Sequence, residues 1–197
     1  MAKEKAVKAV KEEKKAVVPG DRSIRVVNIV VSTSLEHDIP LEKMAAVLSN
    51  TEYNPEQFPG LVIRIKEPKT SALVFSSGKV VCTGAKSLDK VEESIQQIIQ
   101  SLKKINVEIT VKPKITVQNI VASGSIGMDL NLNKLAMKLD NTEYEPEQFP
   151  GLVYKLMQAK ATFLLFSNGK IVCTGTKSEA EVNKAVDLLI EVLKKVE

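Results

Sequence analysis

Tryptophan is absent from this 197-residue chain, histidine occurs once, as His37, and cysteine only twice. Cys82 and Cys173 stand 91 positions apart, and His37 shares no motif with either, so clustered metal ligands are missing. There is no nucleophile–base pair and no phosphate loop, and the acidic residues fall mostly on expected helices and loops. The sequence is therefore not read as that of an enzyme and calls for no metal or cofactor. No apolar run reaches membrane-spanning length and no signal peptide precedes the first expected strand. The expectation is a cytoplasmic protein without a membrane partner.

Charge of one sign is also scarce where it would matter. The net charge is +4, but residues 1–20 alone hold six lysines and three glutamates. The remaining 22 basic and 21 acidic residues nearly cancel. Any nucleic-acid argument must rest on where basic residues sit, not on their total. Residues 1–20, ending in "VVPG", read as a flexible lysine-rich tail.

What the chain does contain is a duplication. "EYNPEQFPGLV" at 52–62 returns as "EYEPEQFPGLV" at 143–153, and "GKVVCTG" at 78–84 returns as "GKIVCTG" at 169–175. Residues 24–104 laid over 115–195 match at about half of positions. The units are far longer than a solenoid repeat, so two pseudo-symmetric halves are expected, 21–112 and 113–197, with 44% apolar residues to build a core.

Each half reads alike. A β-rich run (24–33, 115–123) precedes a short amphipathic helix (40–50, 132–141), three short strands and a long helix (88–104, 179–196). Pro40 suits a helix start, and Ser178 with Glu181 has capping-box spacing. Val91, Ile95, Ile98 and Leu102 recur at helical spacing, as do Val182, Val186, Leu189 and Leu193. This order gives an α+β fold, with helices over one face of a sheet. The two cysteines, at equivalent positions, are expected as small buried hydrophobes.

The other sheet face is the informative one. With a turn at "EP", Phe58 is expected opposite Phe75, Val62 opposite Ser71 and Arg64 opposite Lys69. Alternation then collects Phe58, Gly60, Val62, Arg64, Lys66, Lys69, Ser71, Leu73 and Phe75 on one face. Pro59, Leu61, Ile63, Ile65, Thr70, Ala72 and Val74 go under the helices. A hairpin about Gly78 sets Val81 opposite Phe75 and Thr83 opposite Leu73. The second half repeats the face with Phe149, Gly151, Val153, Lys155, Lys160, Thr162, Leu164, Phe166, Val172 and Thr174. The first strands add Asn28 and Val30, and Asn119 and Val121.

That face is too basic for a core and too apolar for a solvated surface. An asparagine inside an apolar strand needs a partner, either backbone or a ligand. A minor groove at A·T pairs offers only acceptors, to which asparagine amides can donate. Valine, leucine and threonine can pack on its floor, and paired phenylalanines can wedge into a base step. A rival reading is an aromatic-faced sheet that stacks single-stranded RNA, although such a sheet wants its aromatics exposed in mid-strand.

"VNIV" at 27–30, "QNIV" at 118–121, "KEPKT" at 66–70, "GKVVCTGAKS" at 78–87 and "EPEQFPGLVY" at 145–154 resemble the TATA-box-binding protein family, in its archaeal form, over residues 22–195. The resemblance implies a saddle, with one curved antiparallel sheet below and helices on the convex top. It implies a general transcription initiation factor that binds double-stranded TATA-box DNA, kinks it, and recruits transcription factor B and, indirectly, RNA polymerase, in association with the nucleoid. It assigns kinking to Phe58, Phe75, Phe149 and Phe166. It assigns the groove floor to Asn28, Val30, Leu73, Val81 and Thr83, with Asn119, Val121, Leu164, Val172 and Thr174. Phosphate contacts fall on Arg64, Lys69, Lys79, Lys155, Lys160 and Lys170, and the contact with transcription factor B on Glu145 and Glu147. Three departures stand out: Lys155 where arginine is common, Ala159 where proline is usual, and the tail.

Overall fold

The computed structural model describes residues 22–196, so the expectation for the lysine-rich tail lies outside the described residues. The first copy runs β1 (Ser23–Ser34), α1 (Leu41–Val47), β2 (Thr51–Glu52), β3 (Gly60–Ile65), β4 (Thr70–Phe75), β5 (Lys79–Ala85) and α2 (Leu88–Lys103). The second runs β6 (Thr116–Ser125), α3 (Leu132–Lys138), β7 (Thr142–Glu143), β8 (Leu152–Leu156), a 3-10 turn (Met157–Ala159), β9 (Ala161–Leu165), β10 (Lys170–Thr176) and α4 (Glu179–Val196). The strands belong to one antiparallel sheet in the order β2-β3-β4-β5-β1-β6-β10-β9-β8-β7. By contacts the chain divides inside β1 and β6 into two compact units, one of residues 28–118 and the other of 119–196 with 22–27.

In the first unit the apolar stripe of α2, Val91, Ile95, Ile98 and Leu102, is buried together with Leu61, Ile63, Ala72, Val74, Val80 and Cys82 from the sheet. Each large aliphatic chain so covered contributes about 1.5–3 kcal/mol of transfer free energy. Ser87 caps α2 by accepting from the Lys90 N–H, and Ser94, fully buried within the helix, is satisfied by the Thr70 hydroxyl at 2.8 Å and by donation to the Lys90 carbonyl. In the second unit Val182, Val186, Leu189 and Leu193 of α4 and Phe163 of β9 are buried. Ser178 accepts from the Glu181 N–H at 3.2 Å, as the box spacing implies, but the Glu181 carboxylate reaches the Lys177 N–H, one residue upstream of the cap.

The pairing register differs from expectation by two residues. Gly60 pairs with Phe75, Val62 with Leu73 and Arg64 with Ser71, because the turn is centred between Glu67 and Pro68, whose peptide bond is cis. Likewise Val81 pairs with Leu73 and Thr83 with Ser71, since the β4–β5 turn is closed by the Gly78 N–H on the Phe75 carbonyl. A shift of two leaves every side chain on its expected face. Pro59 departs from its assignment: it precedes β3 and is exposed. The edge strands β2 and β7 were not expected, and α1 and α3 end about one turn early, at Val47 and Lys138.

Both cysteines are buried and free. Burial pushes their thiols up, to about 11 for Cys82 and about 12 for Cys173. They act as packing residues and not as nucleophiles.

Candidate nucleic-acid interface

Alternation along β1, β3, β4 and β5 leaves one face of the first unit uncovered by its helices. Asn28, Val30, Val62, Leu73, Phe75, Val81 and Thr83 lie there half-buried, while Ile29, Val31, Ile63, Val74 and Cys82 point the other way into the core. At one end Phe58 and Phe75 meet edge to face, with ring centroids 5.9 Å apart and planes at 64°. Phe58 remains 43% exposed, a high value for so large an apolar side chain. Gly60 makes the pair possible. A Cβ there would stand 2.6 Å from Phe58 Cε1 and 3.1 Å from Phe75 Cε1.

The second unit builds the same arrangement. Phe149 and Phe166 meet at 6.0 Å and 68°, over Gly151, where a Cβ would stand 2.6 Å from Phe149. Leu164 and Val172 form a small cluster with Val121, Phe149, Val153 and Phe166 around it. This floor is more deeply covered than its counterpart: Val172 is 2% exposed, whereas Val81 is half-buried.

The asparagines are held by a device the sequence reading left open. Between Ile29 and Val31 of β1 the register with β5 shifts, and Gly84 sits in the β5 bulge with φ +105°. A Cβ at Gly84 would come within 3.0 Å of the Lys69 carbonyl oxygen, so glycine is required on two counts. The bulge turns the Gly84 N–H onto Asn28 Oδ1 at 2.7 Å, and Thr83 Oγ1 lies 3.1 Å from Asn28 Nδ2. Asn119 repeats this with Gly175 at 2.8 Å and Thr174 at 3.0 Å. A backbone N–H can only donate, so it fixes Oδ1 as the acceptor and thereby which way round the amide stands. Nδ2 keeps a proton beyond the one shared with threonine. Backbone and ligand are thus not alternatives: the backbone holds the oxygen and leaves a donor for something else.

The basic residues frame these faces unequally. Lys69 lies in the β3–β4 turn, and Lys79 opens β5 opposite Ser34. Lys155 stands opposite Thr162, and Lys170 opposite Ser125. Lys160 ends the 3-10 turn in the left-handed region, φ +49°, donating its N–H to the Met157 carbonyl. This turn replaces the cis-proline turn of the first copy. Arg64 is already engaged: Nε and Nη2 donate to the two oxygens of Glu52, each at 3.2 Å. The hydrogen bonds, then the charge, of Arg64 hold the Glu52 carboxyl below its ordinary range. Glu145 and Glu147 are exposed in the loop before Phe149.

Two polar contacts escaped the sequence reading. Gln118 donates through Nε2 to Ser32 Oγ at 2.7 Å. Its equivalent in the first copy is Val27, so the symmetry that revealed the other positions hid this one. Glu52 was missed because its edge strand was missed.

A duplicated α+β unit carrying, in each copy, an uncovered apolar sheet face with oriented amide donors and a rim of cations defines a sheet-based binding protein. The profile of the family described as "Transcription factor TFIID (or TATA-binding protein, TBP)" matches residues 23–105 and again 114–196. TATA-box-binding proteins of Picrophilus torridus and Archaeoglobus fulgidus are 53% and 49% identical over 175 and 176 residues, each alignment covering 88% of this chain and 95% and 96% of the relative. The solved structure of Methanococcus jannaschii TBP superposes with a TM-score of 0.83 at 47% identity, covering 88% of this chain and 99% of that one. The chain belongs to the TATA-box-binding protein family, and it has that family's two-repeat, open-sheet fold.

Proposed function

We propose that the protein is a general transcription initiation factor that binds TATA promoter duplexes through the minor groove, each repeat reading half of the element. Phe58 with Phe75, and Phe149 with Phe166, wedge into base steps and kink the duplex. The kinked complex recruits transcription factor B and through it RNA polymerase. The observation that carries this reading is the pair of fixed asparagine amides. In both repeats a donor faces outward among valine, leucine and threonine, the complement of a groove floor that shows only acceptors and has no room for a guanine amino group. The relatives' names supply the element itself.

Fluorescence transfer between dyes at the two ends of a TATA duplex tests it. Transfer rises on binding if the phenylalanine pairs open base steps, and an unbent complex sinks the proposal. Single-stranded RNA should fail to compete. The two rings of each pair pack edge to face at a strand end and do not lie open as a stacking platform.

The lysines carry a separate prediction. Lys69→Ala and Lys160→Gly should each weaken binding to every duplex alike and flatten the log–log salt dependence by about 0.9, one phosphate contact each. Glycine is the better probe at position 160, because alanine would keep the strained left-handed backbone while glycine relaxes it. A loss confined to TATA sequences would show that these lysines read bases.

A further inference from the structure

β2 is only two residues long, yet it places Glu52 opposite Val62 and within reach of Arg64. The pair is a side-on fork, and both side chains stay largely in solvent, Arg64 at 61% and Glu52 at 66% exposure. Arg64 stands on the same face as Val62, Leu73 and Phe75. We infer that Glu52 competes with DNA phosphate for the Arg64 guanidinium and so weakens the first repeat's sequence-independent hold on DNA. The inference rests on the duplex-binding reading above.

An arginine fork meets carboxylate and phosphate with the same two parallel N–H bonds. Glu52 occupies the Nε–Nη2 edge. To offer that edge to a phosphate, Arg64 must release Glu52 and leave a bare carboxylate beside the DNA backbone. If Arg64 instead keeps Glu52 and uses its outer N–H groups, the pair it brings to the phosphate is neutral and displaces no counterion. By either route the contact contributes less than a free arginine would. The asparagine donors are untouched, because the competition concerns charge and not base edges. The second repeat carries Lys155 at the corresponding place, a point charge that a carboxylate cannot grip by two parallel bonds. In the second repeat Glu143 stands opposite Val153 as Glu52 stands opposite Val62, but with Lys155 in place of the arginine. The two-bond fork therefore belongs to the first repeat, where it limits how long the protein dwells on duplexes that lack its target.

Glu52→Gln keeps the shape of the side chain and removes its charge. Anisotropy titrations across a salt series, on a TATA duplex and a scrambled one, compare wild type, Glu52→Gln, Arg64→Ala and the double variant. Glu52→Gln should bind both duplexes roughly two- to fivefold tighter, as suits an exposed pair. It should steepen the log–log slope by about 0.9. In the Arg64→Ala background the same substitution should add no such slope, since no arginine is there to be released. Thermal melting should be unchanged. Equal or weaker binding by Glu52→Gln, or the same slope change in both backgrounds, overturns the inference. Normal wild-type binding with an inert Glu52→Gln would sink this inference alone, whereas a wild type that ignores the TATA duplex sinks the functional reading beneath it.

Discussion

Asn28→Asp combined with Asn119→Asp should abolish discrimination of TATA duplexes while leaving the fold intact. Aspartate keeps the oxygen that accepts from the Gly84 and Gly175 N–H groups, at 2.7 and 2.8 Å in the wild type, and can still accept from the threonine hydroxyls. It replaces the outward N–H2 with a second acceptor bearing charge. Facing a groove floor made of acceptors, each site loses a donor bond of about 1–3 kcal/mol and adds repulsion. The double variant should therefore lose at least about 2–6 kcal/mol, roughly 30- to 25,000-fold in affinity for the TATA duplex. Alanine is a blunter instrument, because it also strips the bulge glycines of their acceptor. The check is a pair of measurements, binding by anisotropy and unfolding by circular dichroism. If the aspartates unfolded the protein but left specificity intact in the folded fraction, the asparagines would be bulge clamps only.

Much of the site was legible because a strand's side chains repeat every two residues. The expected register was wrong by two at both hairpins, yet Val62, Leu73, Phe75, Val81 and Thr83 still fall on one face. An error of one would have moved all of them into the core. Duplication did the rest, since each assignment had to hold at two places. The parts that stayed hidden share a physical cause: they depend on local geometry too short to leave a pattern. A two-residue strand shows no alternation, so β2 went unseen, and with it the Glu52–Arg64 pair. The bulge at Gly84 needs a positive φ, which the glycine of "CTG" permits but does not announce. Gln118 sits where the first copy has Val27, a position at which comparing the halves argues against a role.

The same comparison of halves gives the second large effect. A pseudo-symmetric reader on a nearly symmetric element has no means of choosing a direction, so the choice must come from a partner that tells the repeats apart. The loops before Phe58 and Phe149 have the same backbone: the Asn54 carbonyl accepts from the Gln57 and Phe58 N–H groups at 3.1 and 3.0 Å, and the Glu145 carbonyl from those of Gln148 and Phe149 at 3.0 and 2.9 Å. Their side chains differ. Asn54 folds back, its Oδ1 accepting from the Glu56 N–H at 3.2 Å, whereas Glu145 leaves an exposed carboxylate beside that of Glu147. Two acidic groups on a backbone-braced loop in one repeat, against a single one in the other, suit a basic surface on transcription factor B. Each charge-assisted bond at such a contact contributes roughly 1–3 kcal/mol, and reversing the charge adds repulsion. Glu145→Arg with Glu147→Arg should therefore leave DNA binding intact and eliminate the ternary complex with transcription factor B. Asn54→Arg with Glu56→Arg should leave that complex nearly unchanged. Ternary gel shifts on one TATA duplex decide between them, and equal losses from the two loops would mean that the partner reads something other than this difference in charge.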